Sequence, residues 1–283
     1  MLAKDFNLRH TAESGQPLAF YGIIGSKGNA NTISYPASHG WIEFEHSRKT
    51  GRISYSFSGK YDKRSAAEEI FSRFGLGHDL SDIYGKIGTD RFMRSAIRQF
   101  YGMRITKSDP WEACLCFVVS QFNNIKRIRR IILSLSERFG STDEIGRTMF
   151  PSSERISDAK LQEIRSCGTG FRDRYIKHVA EQFAHSFEPE RLYHMKYLDA
   201  KDSLMGLDGI GDKVADCILL FGYNKFEAFP IDVWIKRTME RIYFKGKKRS
   251  IKQIHALSTE LWGNYRGYAQ QYLFEAARRN EIR

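Results

Sequence analysis

The hydrophobic pattern of this 283-residue chain changes period once, near residue 60, and that change limits the architectures open to it. From about residue 17 to 59, short apolar and aromatic runs with partial alternation (LAFYGII, NTISYPA, GWIEFEH and RISYSFSG) are separated by Gly, Ser, Asn and Lys. Such runs predict antiparallel strands. From about residue 64 the spacing is helical, beginning with AAEEIFSRF, SDIYGKI and DRFMRSAIRQFYG. The expected fold class is α+β, with an N-terminal antiparallel sheet and flanking helices over 1–104 and an all-helical body over 105–283.

Asp109 and Pro110 open the most apolar segment, WEACLCFVVS. Asp suits the N-cap and Pro the first helical position, so a buried core helix is expected. The following NNIKRIRRIILSLSERFG sets Lys126, Arg127, Arg129 and Arg130 beside Ile128, Ile131 and Ile132. One face packs while the other meets solvent or phosphate. Further helices are expected at about 158–166, 172–185, 199–206, 212–222, 232–243, 250–262 and 265–279. The stretch FKGKKRSIK at 244–252 carries five Lys or Arg and no acid. It reads as a loop serving either phosphate contact or solubility.

Hydrophobic residues make up 41% of the chain and aromatics 13%, as in a packed globular protein. A formal charge of +12 favours a polyanionic partner. Charge alone leaves a merely basic surface equally open. Cys114, Cys116, Cys167 and Cys217 form no CxxC pair or metal-ligand series and lack the C-terminal clustering that would hold an iron–sulfur cluster. The eight histidines form no metal set by spacing, and His178 and His185 read as ordinary helix residues. No cofactor is therefore expected. The N-terminus has no apolar leader and no run reaches membrane-span length, which predicts a soluble, cytoplasmic protein, nucleoid-associated in a prokaryote.

The strongest local signal is LMGLDGIGDKVADCILLFG, where Gly209 and Gly211 form a tight turn between two helical patterns at about 203–222. Glycines let the backbone approach a phosphate, and the N–H groups opening the second helix point at that anion. Lys213 enters this helix in its first turn, where the dipole opposes a positive charge and favours the neutral, nucleophilic amine. Cys217 follows on the same face, either as a thiol or thiolate interacting with the lysine or as a small buried hydrophobe. Asp232, after the bend at Pro230, opens another helix in AFPIDVWIKRTMERI. Alone it reads as an N-cap.

The string GIG-x-K-VADC followed by FPIDVW resembles the helix-hairpin-helix, Gly-Pro-Asp (HhH-GPD) superfamily of base-excision glycosylases. In that superfamily the lysine and aspartate at these positions are the catalytic pair. The resemblance implies that Asp232 stabilises positive charge on the sugar while Lys213 forms a Schiff base and nicks the strand by β-elimination. Members without the lysine use water and do not nick.

Within the superfamily the chain looks most like the 8-oxoguanine DNA glycosylases, over nearly its whole length. ESGQPLAF resembles the segment in which a glycine carbonyl, here that of Gly15, accepts the hydrogen on N7 of the oxidised base. GYAQQYLFEAARR resembles the segment supplying a glutamine and a stacking ring, here Gln270 and Phe274, while Cys217 matches the pocket cysteine. VVSQFNNIKRI resembles the loop that fills the gap and reads the opposite cytosine, with Asn123, Asn124 and Arg127 keeping the pattern. Phe122 stands where the family has asparagine, Phe171 where tyrosine is common, Arg172 matches an arginine, and Trp234 replaces a phosphate-touching histidine. The resemblance implies a monomer acting on double-stranded DNA that contains oxidised guanine, with no membrane and no iron–sulfur cluster. The alternatives are a related glycosylase for another damaged base and a non-catalytic hairpin protein that binds DNA.

Overall fold

The computed structural model describes residues 1–27 and 30–280. Two short helices, α1 (Leu8–Ala12) and α2 (Leu18–Tyr21), lead into strands β1 (Ile23–Lys27), β2 (Ala30–Ala37), β3 (Gly40–Ser47) and β4 (Ile53–Phe57). Helices α3 (Lys63–Arg73), α4 (Leu80–Ile87) and α5 (Arg91–Gln99) follow, then α6 (Pro110–Ser120) and α7 (Ile125–Phe139). Next come α8 (Ser153–Asp158), α9 (Leu161–Ile164), a π turn at Arg165–Thr169 and α10 (Asp173–His185). The chain ends in α11 (Tyr197–Met205), α12 (Asp212–Tyr223), α13 (Val233–Ile242), α14 (Ile251–Trp262) and α15 (Arg266–Asn280). The expected α+β order is what forms. Among the described residues no helix is long and apolar enough to cross a membrane.

The strands make one antiparallel sheet in the order β1-β2-β3-β4. Pairing Ile33 with Phe44 and Tyr35 with Ile42 puts the large apolar residues on one face, as a period of two requires. That face rests on α3 through Phe74, whose ring meets Phe44 edge-on at 4.8 Å between centroids. LAFY forms α2 rather than strand: Pro17 opens the turn with φ −50°, and all four following residues are buried, so no alternation is imposed. Helix α8 also escapes the hydrophobic pattern, because it is a short polar turn started by the Ser152 hydroxyl.

Helix α6 starts as expected, with Asp109 accepting from the Trp111 amide at 2.8 Å and Glu112 completing a capping box. On α7 the isoleucine face is buried, but Arg129 is not a solvated cation. It donates to the Ala19 and Gly22 carbonyls at 3.1 and 2.7 Å, closing the end of α2. The basic stretch at 244–252 spans the loop joining α13 to α14 and the first two residues of α14, Ile251 and Lys252.

Packing is continuous across the expected division at residue 104. Arg104 is buried and donates to the His78 carbonyl and to Asp5, while α15 lies against α4 and α5. A second buried charge ties α3 to α6: Arg73 reaches Glu112 at 2.9 Å and Tyr21 Oη at 2.8 Å, and Tyr21 in turn donates to Glu112. Removing one partner leaves the other charge without compensation. Arg73→Met is expected to lower unfolding stability by about 3–5 kcal/mol, read from the denaturant midpoint, whereas Arg64→Met on the exposed face of α3 leaves it nearly unchanged.

Candidate active site

The hairpin turn is built by its two glycines in different ways. Gly209 has φ +88°, and a Cβ there would lie 2.6 Å from the Tyr175 ring, so conformation and packing both demand glycine. Gly211 caps α12 in extended backbone with open space around it, leaving the helix N-terminus approachable by an anion. The Gln121 amide fastens this turn to the end of α6 by donating to the Gly209 carbonyl at 2.9 Å.

Behind the hairpin lies a cavity of about 680 Å³, large enough for a purine nucleoside. Lys213, Asp232, Gly15, Cys217, Gln270 and Phe274, which come from four separate chain segments, all line it. Lys213 Nζ donates to Ser120 Oγ at 3.4 Å and sits 5.3 Å from the centre of the Phe117 ring. The Ser120 hydroxyl donates to the Phe117 carbonyl at 2.8 Å, so its lone pairs face the lysine. Asp232 accepts from the Ile235 amide at 2.7 Å as the N-cap of α13, and it is not paired directly with Lys213. Burial raises its carboxyl above the ordinary range against the pull of that amide and of Lys213. Burial also pushes the Cys217 thiol up to about 11, with Lys213 opposing, so it is a neutral thiol near pH 7.

The far wall is set for recognition. The Gln270 amide nitrogen donates to the Pro230 carbonyl at 3.2 Å, while its buried oxygen has no partner among the described residues. Gly15 adopts φ +74°, and a Cβ on it would meet the Phe274 ring at 3.1 Å. Trp234, which stands in place of the family's phosphate-touching histidine, lines the cavity and is half exposed.

Asn123 and Asn124 reach the cavity rim, where the Asn124 oxygen caps α7 by accepting from the Arg127 amide at 3.0 Å. Phe122 and Phe171 are outside it, exposed and facing each other with centroids 6.3 Å apart. Arg127 is exposed. Arg172 departs from an outward-reading arginine: it is 2% exposed. Its guanidinium donates to the carbonyls of Gln121, Phe122 and Thr169.

Residues 115–264 match the HhH-GPD superfamily of base excision DNA repair proteins, and residues 1–114 match the N-terminal domain of 8-oxoguanine DNA glycosylase. The chain belongs to this superfamily. A probable N-glycosylase/DNA lyase of Methanothermobacter thermautotrophicus is 31% identical over 243 residues, covering 78% of this chain and 77% of that protein. The N-glycosylase/DNA lyase of Saccharomyces cerevisiae is also 31% identical, over 61% of this chain and 56% of its own. Among solved structures, MBOgg1 in complex with a low affinity DNA ligand superposes with TM-score 0.89 at 30% identity, covering 99% of this chain and 94% of that one. Clostridium acetobutylicum 8-oxoguanine glycosylase/lyase, in complex with double-stranded DNA containing cytosine opposite to 8-oxoG, gives TM-score 0.87 at 26% identity with the same coverage.

Two features of this HhH-GPD chain were not read from sequence. Ser120 and Phe117 lie three apart on α6, which puts them on one face, but only the packing of α6 on α12 brings that face to Lys213. Spacing also hid a group of Asp212, Asp216 and His255, whose ligand-type atoms lie within 4.8 Å of one another. Lys201 Nζ is 3.0 Å from both carboxylates, so an internal ammonium already supplies the charge that a cation would bring. A hydrogen bond from His255, together with Lys201, holds the Asp212 carboxyl down at about 2.

Gly15 gives the sharpest geometric test of the cavity. Gly15→Ala is expected to cut turnover at the site by tenfold or more, about 1.4 kcal/mol, while changing duplex binding little. Single-turnover rates and a binding titration on the same protein separate the two.

Proposed function

We propose that this 8-oxoguanine DNA glycosylase and abasic-site lyase works through Lys213 as the attacking amine and Asp232 as its carboxylate partner. The observation that carries this is the convergence of that pair with a buried, unpartnered acceptor, Gln270 Oε1, on one cavity. A buried acceptor without a partner is costly unless a ligand satisfies it. The N1–H and N2–H groups of a flipped guanine are donors that would do so. Oxidation turns N7 of guanine from acceptor into donor, and the Gly15 carbonyl, which makes no hydrogen bond among the described residues, suits the oxidised form. The Phe274 ring and the neutral Cys217 thiol take the two faces of the base.

The steps balance with these groups alone. As the glycosidic bond breaks, its electron pair leaves with the base, which takes up a proton, and Asp232 stabilises the positive charge left on the sugar. The Lys213 nitrogen bonds to that sugar carbon, loses its protons and, as the ring oxygen departs and is protonated, becomes an imine. Loss of a proton from the adjacent sugar carbon then expels the 3′ phosphate with the electrons of its C–O bond, nicking the strand. No metal or redox group enters this chemistry, and a single chain supplies both residues, so the enzyme is read as a monomer on duplex DNA in a DNA-bearing compartment.

Lys213→Gln is expected to abolish sodium borohydride trapping on an 8-oxoguanine duplex while binding that duplex within a few-fold of the parent protein. Covalent capture by the variant would remove Lys213 from its role. Asp232→Asn is expected to slow base release by about 10²-fold or more. The working form of Asp232 is the carboxylate, and burial raises its pKa. Excision should therefore fall as pH drops through a limb lying above the ordinary value of about 3.9, and that limb should vanish in Asp232→Asn. A pH profile of single-turnover excision decides this.

A further inference from the structure

The loop between α6 and α7 uses its hydrogen-bonding side chains to hold itself in place. Gln121 donates to the Gly209 carbonyl at 2.9 Å. Asn123 donates to the Val119 carbonyl at 3.1 Å and accepts from the Asn124 amide at 3.0 Å. Arg172 gathers the carbonyls of Gln121 and Phe122. The product of this bracing is Phe122, held at φ +47°, a conformation that L residues rarely adopt, with its side chain thrown into solvent and 91% exposed. Phe171 stands beside it on a turn with left-handed glycines at 168 and 170, its ring covered on one side by the Arg172 guanidinium at 4.4 Å.

We propose that Phe122, with Phe171 beside it, makes this enzyme fill the gap in the duplex by stacking and leaves the base opposite the lesion largely unselected. The proposal rests on the reading of the chain as an 8-oxoguanine glycosylase. Telling one base from another takes a matched pattern of donors and acceptors held in fixed geometry. A phenyl ring offers neither and stacks on any base. Among the described residues the Asn124 side-chain amide nitrogen and the exposed Arg127 guanidinium make no hydrogen bond, and both are donors. Every base carries an acceptor on its pairing edge, so a long, unbraced donor finds a partner opposite cytosine, thymine, adenine or guanine alike.

The test is single-turnover excision of 8-oxoguanine placed opposite each of the four bases, with borohydride trapping on an abasic-site duplex as a parallel arm. The expected result is that the four excision rates fall within about fivefold of one another, less than a single good bidentate base contact gives. Phe122→Ala should lower all four by a common factor of about tenfold or more, and Phe122→Tyr, which keeps the ring, should restore them. A preference for cytosine of about a hundredfold or more in the parent protein would overturn the proposal. So would a Phe122→Ala loss confined to one opposite base, or no loss at all. Absence of trapping on the abasic duplex would instead count against the lyase reading, which keeps the two failures apart.

Discussion

The cavity exists because α15 is a largely buried rod that is hydrogen-bonded to several of the chain segments around it and packed tightly on α12. Gln271 donates to the Ser14 carbonyl and Tyr272 to the Met103 carbonyl, each at 2.8 Å, while Gln270 donates to the Pro230 carbonyl at 3.2 Å. At its start Gly267 is wedged so tightly that a Cβ would lie 2.5 Å from Leu220 of α12 and 2.8 Å from the Ala228 carbonyl. One helix thus fixes the distance between the N-terminal turn that carries Gly15, the helix that carries Lys213 and the bend before Asp232. Interiors packed this closely do not deform continuously. A shift of α15 would move the recognition wall and the chemical wall together.

Electrostatics keeps the lysine available. Helix α12 places carboxylates at 212 and 216 on either side of Lys213 in sequence, yet neither pairs with it, because Lys201, Tyr197 and His255 engage them on the opposite face. Asp216 is fully buried there, with Tyr197 donating at 2.7 Å. Lys213 is left with a hydroxyl, a ring and a neutral thiol beside it, and with Asp232 near enough to feel its charge. The Lys213 amine makes no ion pair among the described residues.

How much of this could be read from the sequence depends on how local each signal is. The hairpin glycines, Lys213 and Asp232 lie in short strings whose turn and cap chemistry is self-contained, and the change of hydrophobic period located the sheet. LAFY misled because a four-residue apolar run fits strand and helix equally, and Pro17 decides it. Arg129 misled because a cation on an amphipathic helix looks solvated until the carbonyls it reaches are known. Ser120 gave no signal, since its meaning lies in the contact between α6 and α12. The trio at 212, 216 and 255 likewise depends on α14 folding back against the hairpin.

A division of labour follows from where donors and acceptors stand. Inside the cavity, among the described residues, the Gln270 oxygen and the Gly15 carbonyl are left without partners, and burial disfavours the charge of an aspartate held by a backbone amide. On the loop between α6 and α7 the reverse holds, with most polar side chains satisfied internally and rings presented outward. Unsatisfied polar atoms discriminate because the wrong ligand leaves them unpaired or opposes like with like, whereas rings tolerate what they touch. On the proposed reading, specificity is concentrated on the extruded base, where a single reversed hydrogen bond at N7 would distinguish oxidised from normal guanine. In the same reading the loop would supply the stacking that keeps that base out of the helix.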